Sequence, residues 1–105
     1  MDIEALKKLI GTPRDSALLR ISIAAALVGE DRTSEAVEQL TEATRMDSNY
    51  TAAWKQLGKV RLSLDDPEGA RKAWRSGIEA ARANGDKQAE KEMTVFLRRL
   101  DKKPS

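Results

Sequence analysis

Cysteine and histidine are both absent from the 105 residues. Without cysteine there is neither a disulfide framework nor a thiolate metal site. Without histidine, the commonest general base and the commonest transition-metal ligand are lost together. A nucleophile–base constellation then has to come from lysine or a carboxylate. The most obvious carboxylate pair, Asp65-Asp66, lies in a turn before Pro67 and reads as helix capping. No G-x-x-x-x-G-K-[ST] or G-x-G-x-x-G phosphate loop occurs, and calcium-loop spacing is missing as well. No enzyme, no metal site and no cofactor are expected. No stretch approaches the roughly 20 apolar residues that cross a bilayer. The opening Met1-Asp2-Ile3-Glu4 lacks the basic patch and apolar run of a secretory signal. A cytoplasmic protein with no membrane contact is expected, and the net charge of +2 is too small by itself to imply nucleic acid.

What is present is helix-forming. Alanine, leucine, glutamate, lysine and arginine dominate, while β-branched and aromatic residues are few. A composition 40% hydrophobic and 34% charged belongs to a globular chain of one domain with a modest core.

The decisive feature is a repeat. Trp54-Lys55-Gln56-Leu57-Gly58 is followed by Ala70 and Trp74, a W-x2-L-G…A-x3-aromatic pattern. Thirty-four residues earlier stand Arg20, Ile23, Ala24, Ala36 and Leu40. Leu57 meets Ile23, Gly58 meets Ala24, Ala70 meets Ala36, and Gly77 meets Ala43. Each slot has a mechanical reason. Paired antiparallel helices approach most closely where facing residues are small, so Gly58 and Ala70 mark one crossing, and Ala24 and Ala36 the other. Trp54 and Trp74 are expected to fill the space beside the crossing. A stacking platform for bases or sugars is the less favoured reading of these two rings.

Six helices follow from the start and stop signals. They are expected over 2–10 (Asp2 as cap, Gly11 and Pro13 as stops), 16–28, 33–46 (Thr33 or Ser34 as cap), 51–64, 67–84 and 86–101. Pro67 falls in a first turn, where its missing amide is harmless. In the same register Leu6 falls on Leu40 and Trp74, so the first helix looks like the second half of a truncated unit. Ala89, Met93, Phe96, Leu97 and Leu100 form one apolar stripe on the last helix, as a capping helix requires.

These residues resemble the tetratricopeptide repeat family over roughly 16–84, and W-K-x-L-G-K at Trp54–Lys59 with V-F-L-R-R-L at Val95–Leu100 is similar to short bacterial members. The resemblance implies an all-α, right-handed superhelical stack of antiparallel helix pairs (an α-solenoid). Its divisions would be a half-repeat at 1–15, repeats at 16–50 and 51–84, and a capping helix at 85–101. Arg20 and Arg61 depart from the pattern, which expects a large apolar group and a tyrosine.

The resemblance also implies a concave groove, lined by the first helix of each pair, that holds a peptide or a partner helix. Its lining here would be Leu18, Ile21, Ser22, Ala25, Ala52, Lys55, Gln56 and Lys59, with Ala89, Glu90 and Met93 added by the capping helix. Such a groove starts apolar and turns basic, and suits a protein or peptide with an apolar anchor followed by an acidic group. Lys55 and Lys59, spaced i and i+4, either grip one carboxylate or are solvated surface lysines. Ile21 and Ala25 occupy slots that the terminal-carboxylate-binding members fill with polar residues, which disfavours a chaperone-tail receptor. Charge divides unevenly, with Glu30, Asp31, Glu35, Glu38, Glu42 and Asp47 in the first repeat and Lys55, Lys59, Arg61, Arg71, Lys72, Arg75 and Arg82 in the second. The expected role is an adaptor or scaffold. The rival readings are a self-associating structural protein, including a homodimer, and nucleic-acid binding through the basic second half or a Leu97–Lys103 arm.

Overall fold

The computed structural model describes residues 2–102, so Met1 and Lys103 of the readings above lie outside the described residues. Among the described residues there are six helices and no strand: α1 (Ile3–Lys7), α2 (Ala17–Gly29), α3 (Thr33–Met46), α4 (Thr51–Ser63), α5 (Pro67–Asn84) and α6 (Lys87–Lys102). Neighbours along the chain pack against one another, α2 on α3, α3 on α4, α4 on α5 and α5 on α6. The molecule measures 42 × 30 × 18 Å. Its short dimension is that of two helix layers, and the all-α solenoid expected from the repeat is the observed architecture.

The 34-residue period is visible in the backbone itself. Helices α2 and α4 have 13 residues each. After α2, Glu30 N–H donates to Leu27 O, Asp31 N–H to Val28 O and Arg32 N–H to Leu27 O. After α4 the same pattern recurs with Leu64 to Arg61, Asp65 to Leu62 and Asp66 to Arg61. Asp31 and Asp65 both take left-handed backbone, at φ 59° and 61°. Aspartate tolerates that region better than most residues. Two turns of different sequence thus close with the same geometry.

Helix ends follow local chemistry, with two departures from expectation. Asp2 caps α1 through Glu4 and Ala5 N–H, Ser16 caps α2 through Leu19 N–H, and Asp66 caps α5 through Gly69 N–H ahead of Pro67. Gly85, at φ 70°, ends α5. Helix α1 stops at Lys7 rather than near Ile10. Beyond it the chain tightens into single turns, Leu9 N–H to Leu6 O and Ile10 N–H to Lys7 O. Neither Thr33 nor Ser34 caps α3. The N-cap position is Arg32, which makes no side-chain cap. Its guanidinium instead donates to Glu35 at 2.7 and 2.9 Å.

The core has two main clusters, one joining α2, α3 and α4 and the other joining α5 and α6. Ile23, Ala24, Leu27, Ala36, Leu40, Leu57 and Val60 form one cluster, with Ile3 of α1 and the half-buried Leu6, Leu9 and Ile10 closing it at the N-terminal end. Ala70, Trp74, Ile78, Ala81, Ala89, Met93 and Leu100 form another. Trp74 is buried and donates its indole N–H to Lys55 O at 3.2 Å, while Trp54 is half-buried and donates to Ser48 O at 2.8 Å. Gly58 lies directly beneath the Trp74 ring, where a Cβ would come within 2.5 Å of Cδ1. At Gly77 a Cβ would be 2.8 Å from the Trp54 Cβ and would collide with the Met93 sulfur. Arg20, the odd residue at the aromatic slot, is held by Asp15 at 3.0 and 2.9 Å and by Gln39 at 3.3 Å. An ion pair fills the place of a ring.

Candidate binding groove

Helices α2, α4 and α6 stand side by side in one layer, and two cavities open along the seams between them. The first, about 390 Å³, lies between α2 and α4, with Ile21, Ala25 and Val28 on one wall and Gln56, Lys59, Val60 and Ser63 on the other. Leu40 of α3 reaches it from the second layer. The second, about 420 Å³, lies between α4 and α6, with Lys59, Leu62 and Ser63 facing Phe96, Arg99 and Leu100 over Trp74. Lys59 and Ser63 border both, so the two form one groove interrupted by α4. No carboxylate lines either cavity.

Of the residues picked from the sequence, Ile21, Ala25, Gln56 and Lys59 line the first cavity. Leu18 is on the same helix but 59% exposed, outside the cavities. The Ser22 hydroxyl donates to Leu18 O of its own helix at 3.0 Å. Ala52 is exposed at the start of α4. Lys55 reaches across the seam to Glu92 of α6 at 3.5 Å. The Lys59 ammonium stands 5.3 Å from the centre of the Phe96 ring, a cation–π arrangement. The two lysines therefore face two residues with the same i,i+4 spacing on α6.

The slots assigned to repeat packing lie where close approach is needed. Ile23, Ala24, Ala36, Leu40, Leu57, Ala70 and Trp74 are all at most 5% exposed. Trp54 packs from the side, half-buried.

The capping helix presents a different face from the one expected. Ala89 and Met93 are in the core, and Glu90 turns away to pair with Arg82 at 2.8 Å. The groove wall is Phe96, Arg99 and Leu100 instead. The reason is the length of α5, which has 18 residues against 14 in α3. The extra turn delays the start of α6 relative to α4 and rotates it, and Met93 then fits into the space that Gly77 leaves. Val28, Val60, Ser63, Phe96 and Arg99 were missed by strict period-copying. The apolar stripe at Phe96 and Leu100 was the available signal.

Several other charges are paired locally. Glu35 pairs with Lys7 and Arg32, Glu42 with Arg45, Arg61 with Asp66, and Arg71 with Glu68 and Asp101. The Asp15 carboxyl is held well below the usual carboxylate range by hydrogen bonds from Arg20 and from Gly11 N–H. None of the ion pairs among the described residues involves Lys59 or Arg99. The Leu97–Lys102 part of the basic segment is the end of α6, with Leu100 buried and Asp101 held by Arg71 at 2.8 Å. No described helix is long and apolar enough to cross a membrane.

No family model matches the chain. Individual relatives do. The TPR repeat-containing protein PA0015 of Pseudomonas aeruginosa is 45% identical over 102 residues, covering 97% of each chain. The heat-shock protein cognate co-chaperone sgt12 of Aspergillus fumigatus is 31% identical over 78 residues, which are 74% of this chain and 23% of that protein. Among solved structures, protein BPP2914 of Bordetella parapertussis is 38% identical, with a TM-score of 0.79 over 96% of this chain and 88% of that one. Turns that repeat at a fixed interval, helix pairs nested around small residues, and near full-length identity to a TPR protein lead to one conclusion: this chain belongs to the tetratricopeptide repeat family of protein-interaction modules.

Proposed function

We propose that the chain is an adaptor that holds a segment of another protein in the groove formed by α2, α4 and α6. The observation that carries this reading is the pair of adjoining cavities, largely apolar, whose charged lining residues are all cations. Pockets that pair apolar area with a few convergent polar groups are the usual form of a binding site. Family membership supports it, since tetratricopeptide repeat proteins are typically non-catalytic interaction modules. A relative described as a co-chaperone points the same way in general terms. The same reading takes 16–50 and 51–84 as the two repeats, 1–15 as a half-repeat, 85–101 as the cap, and a cytoplasmic location.

Within the groove, Ile21 and Ala25 would form its apolar end, Gln56 a polar edge and Lys59 its charged centre, suiting a partner with an apolar anchor beside an acidic group. Leu18, Ser22 and Ala52 would be rim positions. Photocrosslinking residues installed at Ala25 and Gln56, and separately at Ser34 and Arg75 on the other layer, test the assignment in living cells. Discrete crosslinks from the first pair only are expected. The same products from all four positions would reject it.

A second copy of the chain is the rival occupant, favoured by the exposure of Leu18 and Val28 on α2 (59% and 42%). Sedimentation decides between them, and a monomer at high micromolar concentration removes self-association.

A further inference from the structure

We infer that the groove recognises an acidic side chain carried between two apolar ones, and that its readers are Lys59 and Arg99, not the Lys55–Lys59 pair. This rests on the groove reading above and gives it a chemistry and a direction.

The two cavities are separate seats. One has Leu40 at its base between Val28 and Val60, the other has Trp74 at its base between Leu62 and Phe96. Both are large enough for a leucine- or phenylalanine-sized side chain. The seats lie on the two sides of α4, and a helix with its side chains is about 10 Å across, so they are separated by about that distance. An extended segment covers it in about three residues, and a helix in about seven.

Lys59 is the one charged residue bordering both seats, and Arg99 joins it at the second. Both are exposed. Lys55 is already engaged by Glu92 and borders neither cavity. An anion midway between the two apolar seats therefore meets Lys59 first and Arg99 next. Lys59 can leave its position near Phe96 to meet it, because a cation–π contact at an exposed site is a weak hold. Phe96 and Trp74, with ring centres 5.2 Å apart, then form the floor under the second apolar side chain. The partner would lie with its purely apolar end over α2 and its acidic side toward α6.

The test selects binders from a random 12-residue peptide library on the full chain. The enriched peptides are then titrated by fluorescence anisotropy against wild type, Lys59→Gln, Arg99→Gln, Lys55→Gln and Ala25→Glu. All four positions are on the surface, and circular dichroism checks that each variant keeps its helicity. Enriched peptides are expected to carry Asp or Glu between two large apolar residues. Lys59→Gln and Arg99→Gln should each weaken binding about tenfold, the scale of a lost charge-assisted hydrogen bond, and Lys55→Gln by less than about threefold, as for an exposed ion pair. Changing the peptide's acid to its amide should cost wild type more than either single substitution does and cost the double Lys59→Gln/Arg99→Gln variant nothing. Peptides without an acid, or binding that falls with Ala25→Glu yet ignores Lys59→Gln and Arg99→Gln, would overturn this inference and leave the groove in place. Peptides indifferent to Ala25→Glu as well, or no enrichment at all, would overturn the groove reading with it.

Discussion

Replacing Gly58 with alanine puts a methyl carbon where the Trp74 indole already is. The new Cβ would lie 2.5 Å from Cδ1 and closer still to Nε1 and Cε2, so the ring has to move. Trp74 is 3% exposed, and its N–H donates to the Lys55 carbonyl of the same helix that carries Gly58. Overpacking of this kind costs about 1–3 kcal/mol. Losing the indole hydrogen bond adds about 1 kcal/mol. Alanine's better helix propensity returns about 1 kcal/mol. The net expectation is a loss of about 1–3 kcal/mol, which for a domain of this size lowers the melting temperature by about 5–20 °C. Thermal and urea melts followed by circular dichroism measure it, with two-state behaviour checked by comparing probes. The reasoning also fixes a sign. In a Trp74→Leu background the obstruction is gone, and Gly58→Ala should then be neutral or stabilising by up to about 1 kcal/mol. Gly58→Ala melting at or above the wild-type temperature, or costing as much without the indole as with it, would refute the contact.

Three further outcomes follow from other parts of the molecule. Asp31→Val and Asp65→Val each force a β-branched residue into left-handed backbone and should cost about 1–2 kcal/mol. The two losses should match closely in urea melts, since the turns are copies of each other. The Asp15 carboxyl lies below its ordinary value when folded, chiefly through Arg20. Its contribution is therefore complete above the unfolded value near pH 4 and is lost as pH falls below it, so the melting-temperature gap between wild type and Asp15→Asn should be constant at neutral pH and close in acid. Glu92→Gln removes a partly exposed ion pair at 3.5 Å and should change stability by less than about 1 kcal/mol. It should also strengthen binding of acidic peptides, because it removes a carboxylate one turn from Phe96 on the α6 wall of the groove.

The fold was legible because its cause is periodic. Small residues at Ala24 and Ala36, and again at Gly58 and Ala70, repeat a steric requirement at the same interval, all four are buried, and composition alone had already favoured helices. The groove was half legible. Ile21, Ala25, Gln56 and Lys59 sit on helices whose register the repeat controls, and they line the cavity. Glu90 and the core residues Ala89 and Met93 were carried one period too far. The extra turn of α5 and the seating of Met93 over Gly77 set the rotation of α6, and both depend on packing between distant residues. The engagement of Lys55 by Glu92 was hidden for the same reason. Arg20 looked like a defect in the repeat, although its partner Asp15 is only five residues upstream. The missing information was that both side chains turn into the same half-buried corner, with Gln39 arriving from α3.

Backbone amide shifts of the isotopically labelled chain, recorded while a library-selected peptide is added, test the groove most directly. The account predicts saturable changes concentrated at Ile21, Ala25, Gln56, Lys59, Ser63 and Arg99, with Ser34, Glu38, Arg75 and Glu79 on the opposite layer unmoved. Changes confined to α3 and α5, with the α2–α4–α6 face silent at saturation, would contradict it.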